Sequence, residues 1–182
     1  GSTWGGVWTE KMVLNGNIIG DTDDGLEPLQ VAPENTGIAT RQRNVIVENN
    51  IIRSKSGSCL ISEVCSNFTF RNNICHTSGN TYPLHLSYQN AVGTPAPSDS
   101  KFYNNTIYKP DASLANGFSA FLLESGTSGT LIYNNLAYAP ADTADAYGAG
   151  SAHTLIAETG TYTASNNSSN TQGQGWLRGR SR

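Results

Sequence analysis

Charge is scarce in this sequence, and so are the features that would send the chain to nucleic acid or into a membrane. Only 14% of its 182 residues are Asp, Glu, Lys or Arg, and the formal net charge is -3. That balance provides no dense basic stripe for nucleic acid. No apolar run is long enough to span a bilayer, and the opening Gly1-Ser2-Thr3-Trp4-Gly5-Gly6 lacks the basic and apolar sections of a signal peptide. Cysteine is limited to Cys59, Cys65 and Cys75, an odd count whose spacing is no metal motif. Cys59 and Cys65 can bridge only where their backbones converge, while Cys75 can face the pair from a neighbouring coil. Each thiol can equally pack as a small apolar side chain.

What the chain has in quantity is Gly, Ser, Thr and Asn, a composition of turns rather than of helices or disordered tails. Its length fits a single domain over residues 1–182, either whole or part of a larger protein. One phrase recurs within it. Asn44-Val45-Ile46-Val47-Glu48-Asn49-Asn50-Ile51-Ile52 is repeated as Asn67-Phe68-Thr69-Phe70-Arg71-Asn72-Asn73-Ile74-Cys75. It returns around Asn104-Asn105 and Asn134-Asn135, and more loosely around Asn166-Asn167 and at Asn15-Gly16-Asn17. The equivalent residues Asn17, Asn50, Asn73, Asn105, Asn135 and Asn167 are 33, 23, 32, 30 and 32 positions apart. A unit this short cannot bury an apolar face alone, so repeats of this length stack, and their length variation belongs in loops.

Each paired-asparagine turn is flanked by alternating residues, the period of a β-strand. Val45/Val47, Phe68/Phe70 and Leu131/Tyr133 are the expected core rows; at Phe102/Tyr103 and Leu131/Ile132 either alternate residue can face inward. Asparagine satisfies backbone groups locally and tolerates turn conformations, and stacked amides can hydrogen-bond from coil to coil. A third strand per coil is expected at Gly25–Leu29, Ser58–Ser62, Pro83–Ser87, Ala120–Glu124 and His153–Glu158.

These asparagine turns and their β patterns, over residues 11–169, resemble the right-handed parallel β-helix superfamily, which includes pectate-lyase-like proteins and several glycoside hydrolases. The resemblance implies an all-β solenoid of about five or six coils, with its hand set by the general bias of parallel crossovers. An antiparallel jelly roll also joins short strands by Asn- and Gly-rich loops, but recurrence of one strand-turn-strand phrase favours the solenoid.

The most compact charged segment is Asp21-Thr22-Asp23-Asp24-Gly25-Leu26-Glu27. Grouped carboxylates can bind a hard divalent cation such as calcium, through Asp21, Asp23 and Asp24, or divide acid and base roles at a glycosidic bond. Asp23, Asp24 and Glu27 are the acidic catalytic candidates, with His85 contributing proton transfer from a laterally stacked coil. Tyr88, Glu63, Glu124 and Arg53 are the ligand-binding candidates. Tyr88 offers a ring or hydroxyl to a sugar, and Arg53 a charge for a uronate carboxylate. Ser62 and Glu158 occupy comparable strand positions. The competing explanation for the acids is a solvated turn. Asn67, Asn104 and Asn166 also begin glycan-acceptor patterns, for which their regular turn positions are a sufficient explanation.

The leading expectation is carbohydrate processing on a lateral groove, as a polysaccharide lyase or a glycoside hydrolase, at an extracellular or cell-surface location. A non-catalytic carbohydrate-binding or adhesive module needs no acid/base pair. A structural β-helix fragment would need its end coils covered by Trp4, Trp8 or Trp176, by another domain, or by a second copy of the chain.

Overall fold

The computed structural model describes residues 9–22, 28–31, 42–55, 57–63, 65–78, 82–87, 97–110, 120–124, 126–139, 156–158, 162–171 and 177–178. Among them there is no helix. The strands form four sheets, and every pairing is parallel except the last.

Sheet B contains Val13–Asn15, Ile46–Glu48, Thr69–Arg71, Lys101–Tyr103, Thr130–Tyr133 and Tyr162–Ser165. Sheet C contains Ile18–Thr22, Ile51–Ser54, Ile74–Thr77, Thr106–Tyr108, Leu136–Ala139 and Ser168–Thr171, closed by the antiparallel Leu177–Arg178. Sheet D contains Gln30–Val31, Leu60–Glu63, Leu84–Ser87, Phe121–Leu123 and Ile156–Glu158. The short sheet A, which the repeat does not announce, contains Thr9–Glu10, Gln42–Arg43 and Cys65–Ser66 and continues as single bridges at Ser98 and Ser128. Strands within a sheet pair in chain order, each with its equivalents one repeat before and after, which is the connectivity of a coiled solenoid rather than a jelly roll.

The corner between sheets B and C is built on paired asparagines. The first of each pair is left-handed, at φ 58 for Asn49, 54 for Asn72 and 55 for Asn104 and Asn134, a conformation Asn tolerates better than other side chains. The second is buried and bonds along the stack. Asn73 donates from its backbone N to Asn105 Oδ1 at 3.0 Å and from Nδ2 to the Val47 carbonyl at 2.9 Å. Asn105 does the same to Asn135 Oδ1 at 3.1 Å and to the Phe70 carbonyl at 2.9 Å, and Asn135 continues to Asn167. A buried amide group left unpaired costs about 1–3 kcal/mol, so the ladder holds adjacent rungs in one register.

Alternation then sorts the strands. Val47, Phe70, Phe102 and Ile132 share one inward column and are fully buried. The Phe102 ring packs 6.1 Å from that of Phe70 and edge-on at 5.6 Å against Phe121 of sheet D, filling the space between sheets. The expected inward row at Leu131/Tyr133 is corrected: Leu131 is exposed and Tyr133 half-buried, because the strand pairs Ile132 with the inward Phe102. Of the expected first sheet D strand, Gly25–Leu29, residues 25–27 lie outside the described residues, and the described strand Gln30–Val31 directly follows Leu29.

Cys59, just before a sheet D strand, is disulfide-bonded to Cys75 in sheet C, with Cα atoms 5.9 Å apart. The bridge ties one rung to the next from inside the core. Cys65 is the free thiol, buried in sheet A, and burial pushes its pKa up to about 12.

Three measurements check these supports. Asn105→Ala removes a buried amide that bonds on both sides, and it is expected to lower unfolding stability by about 3 kcal/mol in urea titration, whereas Asn104→Gly, at an exposed left-handed position, changes it by under about 1 kcal/mol. Reducing the Cys59–Cys75 bridge is expected to cost about 3 kcal/mol. Cys65 stays a neutral thiol to about pH 12 in the folded chain, against 9.0 when solvated. Its contribution is therefore complete below pH 9.0 and falls as pH rises through about 12. Iodoacetamide at pH 8 is expected to modify Cys65 only after unfolding.

Candidate functional site

Sheet D is where heterogeneous polar side chains gather. Leu60, Leu84 and Phe121 face the core, as do Ser62, Leu86 and Leu123 two residues on. The alternate positions therefore face outward: Ile61, His85 and Leu122 form one row, and Glu63 pairs with Ser87 in the next. Glu124 follows in that second row, since its backbone N donates to the Leu86 carbonyl at 3.0 Å.

His85 and Glu124 sit diagonally across neighbouring strands, a spacing that long side chains bridge. His85 Nε2 lies 2.8 Å from Glu124 Oε1, and Ser87 Oγ donates to Glu124 Oε2 at 3.1 Å. A carboxylate only accepts, so His85 presents Nε2–H to Glu124, and in the neutral ring Nδ1 then carries the lone pair. Because Ser87 donates to the carboxylate and not to the imidazole, the trio is not a nucleophilic serine triad. The turn after Glu124 closes through Thr127, whose backbone N and Oγ1 both bond the Glu124 carbonyl, at 3.2 and 2.9 Å. That turn holds Glu124 just past the end of the strand Phe121–Leu123. Glu63 is buried beside this group, with 6% of its surface exposed.

Of the residues singled out from the sequence, His85 and Glu124 are brought together, and Glu63 lies in the adjoining row. Arg53 is separate from them, exposed on the outer face of sheet C. Ser62 is fully buried, with no hydrogen bond for its hydroxyl, and cannot meet a substrate. Asp23, Asp24, Glu27 and Tyr88 lie outside the described residues. Asp21 falls in the strand Ile18–Thr22 and Glu158 in Ile156–Glu158, with only their backbones described. Among the described residues, no group of three or more His, Cys, Asp or Glu side chains converges on a metal position.

Two further outer columns flank the asparagine corner. On sheet B, Glu48, Arg71, Tyr103 and Tyr133 align, with Arg71 Nε donating to Glu48 Oε2 at 2.6 Å and Nη1 to the Tyr103 hydroxyl at 2.8 Å. Those bonds, first to Tyr103 and then to Glu48, hold the guanidinium pKa above its usual value. The Tyr103 and Tyr133 rings stack at 4.8 Å, 5° from parallel, and desolvation in that stack raises the Tyr133 pKa. On sheet C, Arg53, His76, Tyr108 and Tyr138 align. Arg53 apart, the members of these columns, like Ser87, are not site candidates in the sequence reading, although a signal exists: they stand two residues before or three after each ladder asparagine.

No protein-family model matches the chain, and no curated protein matches it. Among solved structures, the crystal structure of alginate lyase from Paenibacillus sp. str. FPU-7 is similar at a TM-score of 0.42 and 12% identity, over 90% of this chain and 66% of that one. A likeness that loose assigns neither residue nor reaction, and the fold rests on the strand pairing above.

Glu124→Ala removes the acceptor that selects the imidazole tautomer. Nitrogen NMR of His85 at alkaline pH is expected to show Nε2–H in the parent and a mixture of tautomers in the variant; a parent protonated on Nδ1 would contradict the assignment.

Proposed function

We propose that the chain is a carbohydrate-active β-helix whose outer sheet D face acts on an acidic polysaccharide, with His85 as the base. The observation that carries this reading is the 2.8 Å contact between His85 Nε2 and Glu124 Oε1. It orients the ring, stabilises the imidazolium once a proton is taken, and leaves Nδ1 as the acceptor. In elimination, that nitrogen removes the proton beside the uronate carboxyl group, the electron pair forms the alkene, the bond to the glycosidic oxygen breaks, and the departing oxygen takes up a proton from water. Hydrolysis by paired carboxyls is the less favoured branch, because Glu124 already accepts from two donors and one base suffices for elimination. Asp21, Asp23, Asp24 and Glu27 join this reading as the acidic segment, the three aspartates as calcium ligands, and Tyr88 as a sugar contact.

The architecture proposed is a right-handed helix of six coils. The six parallel strands in each of sheets B and C support the count, and the bias of parallel crossovers supports the hand. The disulfide supports an oxidising compartment, hence an extracellular or cell-surface location. Exposed Met12, Val13 and Ile18 at the first rungs are where another domain or a second copy would seat.

A second reading, a binding or adhesive module without turnover, is favoured by the tyrosine columns on sheets B and C, which need no acid or base. Incubation with polyuronates and with neutral glycans, across pH and with or without calcium, separates the two readings. Elimination is expected to give alkene absorbance and products whose masses lack added water, and His85→Gln is expected to lower kcat about 100- to 10,000-fold. Full turnover in His85→Gln would remove His85 from the chemistry, and products carrying added water would point to hydrolysis. No turnover on any glycan would leave the binding module.

A further inference from the structure

We infer that the outer face of sheet C is a separate binding track for an extended, carboxylate-bearing polysaccharide lying along the axis of the stack. Ile52, Cys75, Ile107 and Ala137 are fully buried, so their neighbours Arg53, His76, Tyr108 and Tyr138 project outward in one column. His76 stacks on Tyr108 at 5.2 Å and 16°, and Tyr108 on Tyr138 at 5.8 Å and 14°. Stacking covers the ring faces that lie between rungs. A ligand therefore meets ring edges, and the edges of Tyr108 and Tyr138 end in hydroxyls that both donate and accept, as sugar hydroxyls require.

Beside this column runs a second outward one, Ile51, Ile74, Thr106 and Leu136, in which Ile74 is 46% exposed. It offers an apolar shoulder to the C–H faces of a pyranose. The two columns together are amphipathic in the manner of a sugar chain, and their rungs repeat at about 4.8 Å, close to the length of one pyranose in an extended polymer.

The Arg53 end sets the charge of the ligand. Arg53 is exposed and forms no ion pair among the described residues, and the exposed Lys55 follows it at the end of the same strand. The next residue of the column is Gly20, held so close that a Cβ there would lie 2.2 Å from the Arg53 carbonyl oxygen. No side chain at that position can screen the guanidinium, whose planar fork matches a carboxylate. A carboxylate on the ligand would supply a counter-charge that none of the described residues gives this cation, and a nucleic acid needs more phosphate contacts than one such corner supplies.

Affinity electrophoresis of the 182-residue chain tests the track without calling on turnover, so failure of the catalytic reading leaves it standing. Migration is expected to be retarded by polygalacturonate in the gel and not by dextran. Arg53→Gln, and separately the paired Tyr108→Phe and Tyr138→Phe, are each expected to weaken retardation at least about tenfold. The phenylalanine pair keeps the ring stack, so it remains informative where Arg53→Gln destabilises the strand, which a melting curve would reveal. Unchanged retardation in both variants, equal retardation by dextran, or equal retardation by inorganic polyphosphate would each overturn the proposal, the last by showing attraction to charge alone.

Discussion

The buried amide ladder is the constraint on which the rest of this structure depends. At the corner between sheets B and C the chain must turn sharply while its backbone groups remain out of reach of water. Each second asparagine meets that demand with both ends of its amide, accepting through Oδ1 from the rung before and donating from Nδ2 to the rung after, as Asn105 does between Asn73 and Asn135. Its Nδ2 also reaches back to a strand carbonyl, Phe70 O for Asn105. A shift of one residue at any rung would strand two sets of buried polar groups, so the ladder acts as a register key for the whole stack.

Once register is held, each position at a fixed distance from the ladder becomes a column. Inward columns collect apolar residues and a disulfide; outward ones collect residues that gain by stacking on their own kind, such as Tyr103 on Tyr133 and Tyr108 on Tyr138. Sheet D differs. Loops of changing length separate it from the ladder, and its outer rows combine unlike residues: Ile61, His85 and Leu122 in one, Glu63, Ser87 and Glu124 in the next. Uniform columns suit extended, repetitive contact, whereas a proton-transfer group needs unlike neighbours, an acceptor beside a donor. The division of labour proposed between sheets C and D follows from where the loops are constant and where they vary.

Much of the fold was legible because it is local. Paired asparagines at recurring intervals, flanked by alternating apolar residues, announced parallel rungs, the turns and most strands of sheets B, C and D. The inward row at Leu131–Tyr133 was not, since in a strand flanked by apolar residues on both alternates the choice is made by the neighbour it pairs with, here Phe102 opposite Ile132. Sheet A carries no such signal, its strands being two residues long and its last rungs single bridges.

For the site, the sequence by itself determined which residue types were on offer and, through the ladder offset, which of them share a column on sheets B and C. It named His85, Glu124 and Glu63 as candidates but contained no measure of their separation, because the loops that lead to sheet D differ in length from rung to rung. Only the tertiary structure decided that His85 reaches Glu124, that Ser87 shares the same carboxylate, that Ser62 is turned into the core, and that Cys59 closes on Cys75 rather than on Cys65. The Glu124 and cysteine pairings are contacts across neighbouring rungs, where parallel pairing brings together residues that chain order keeps apart.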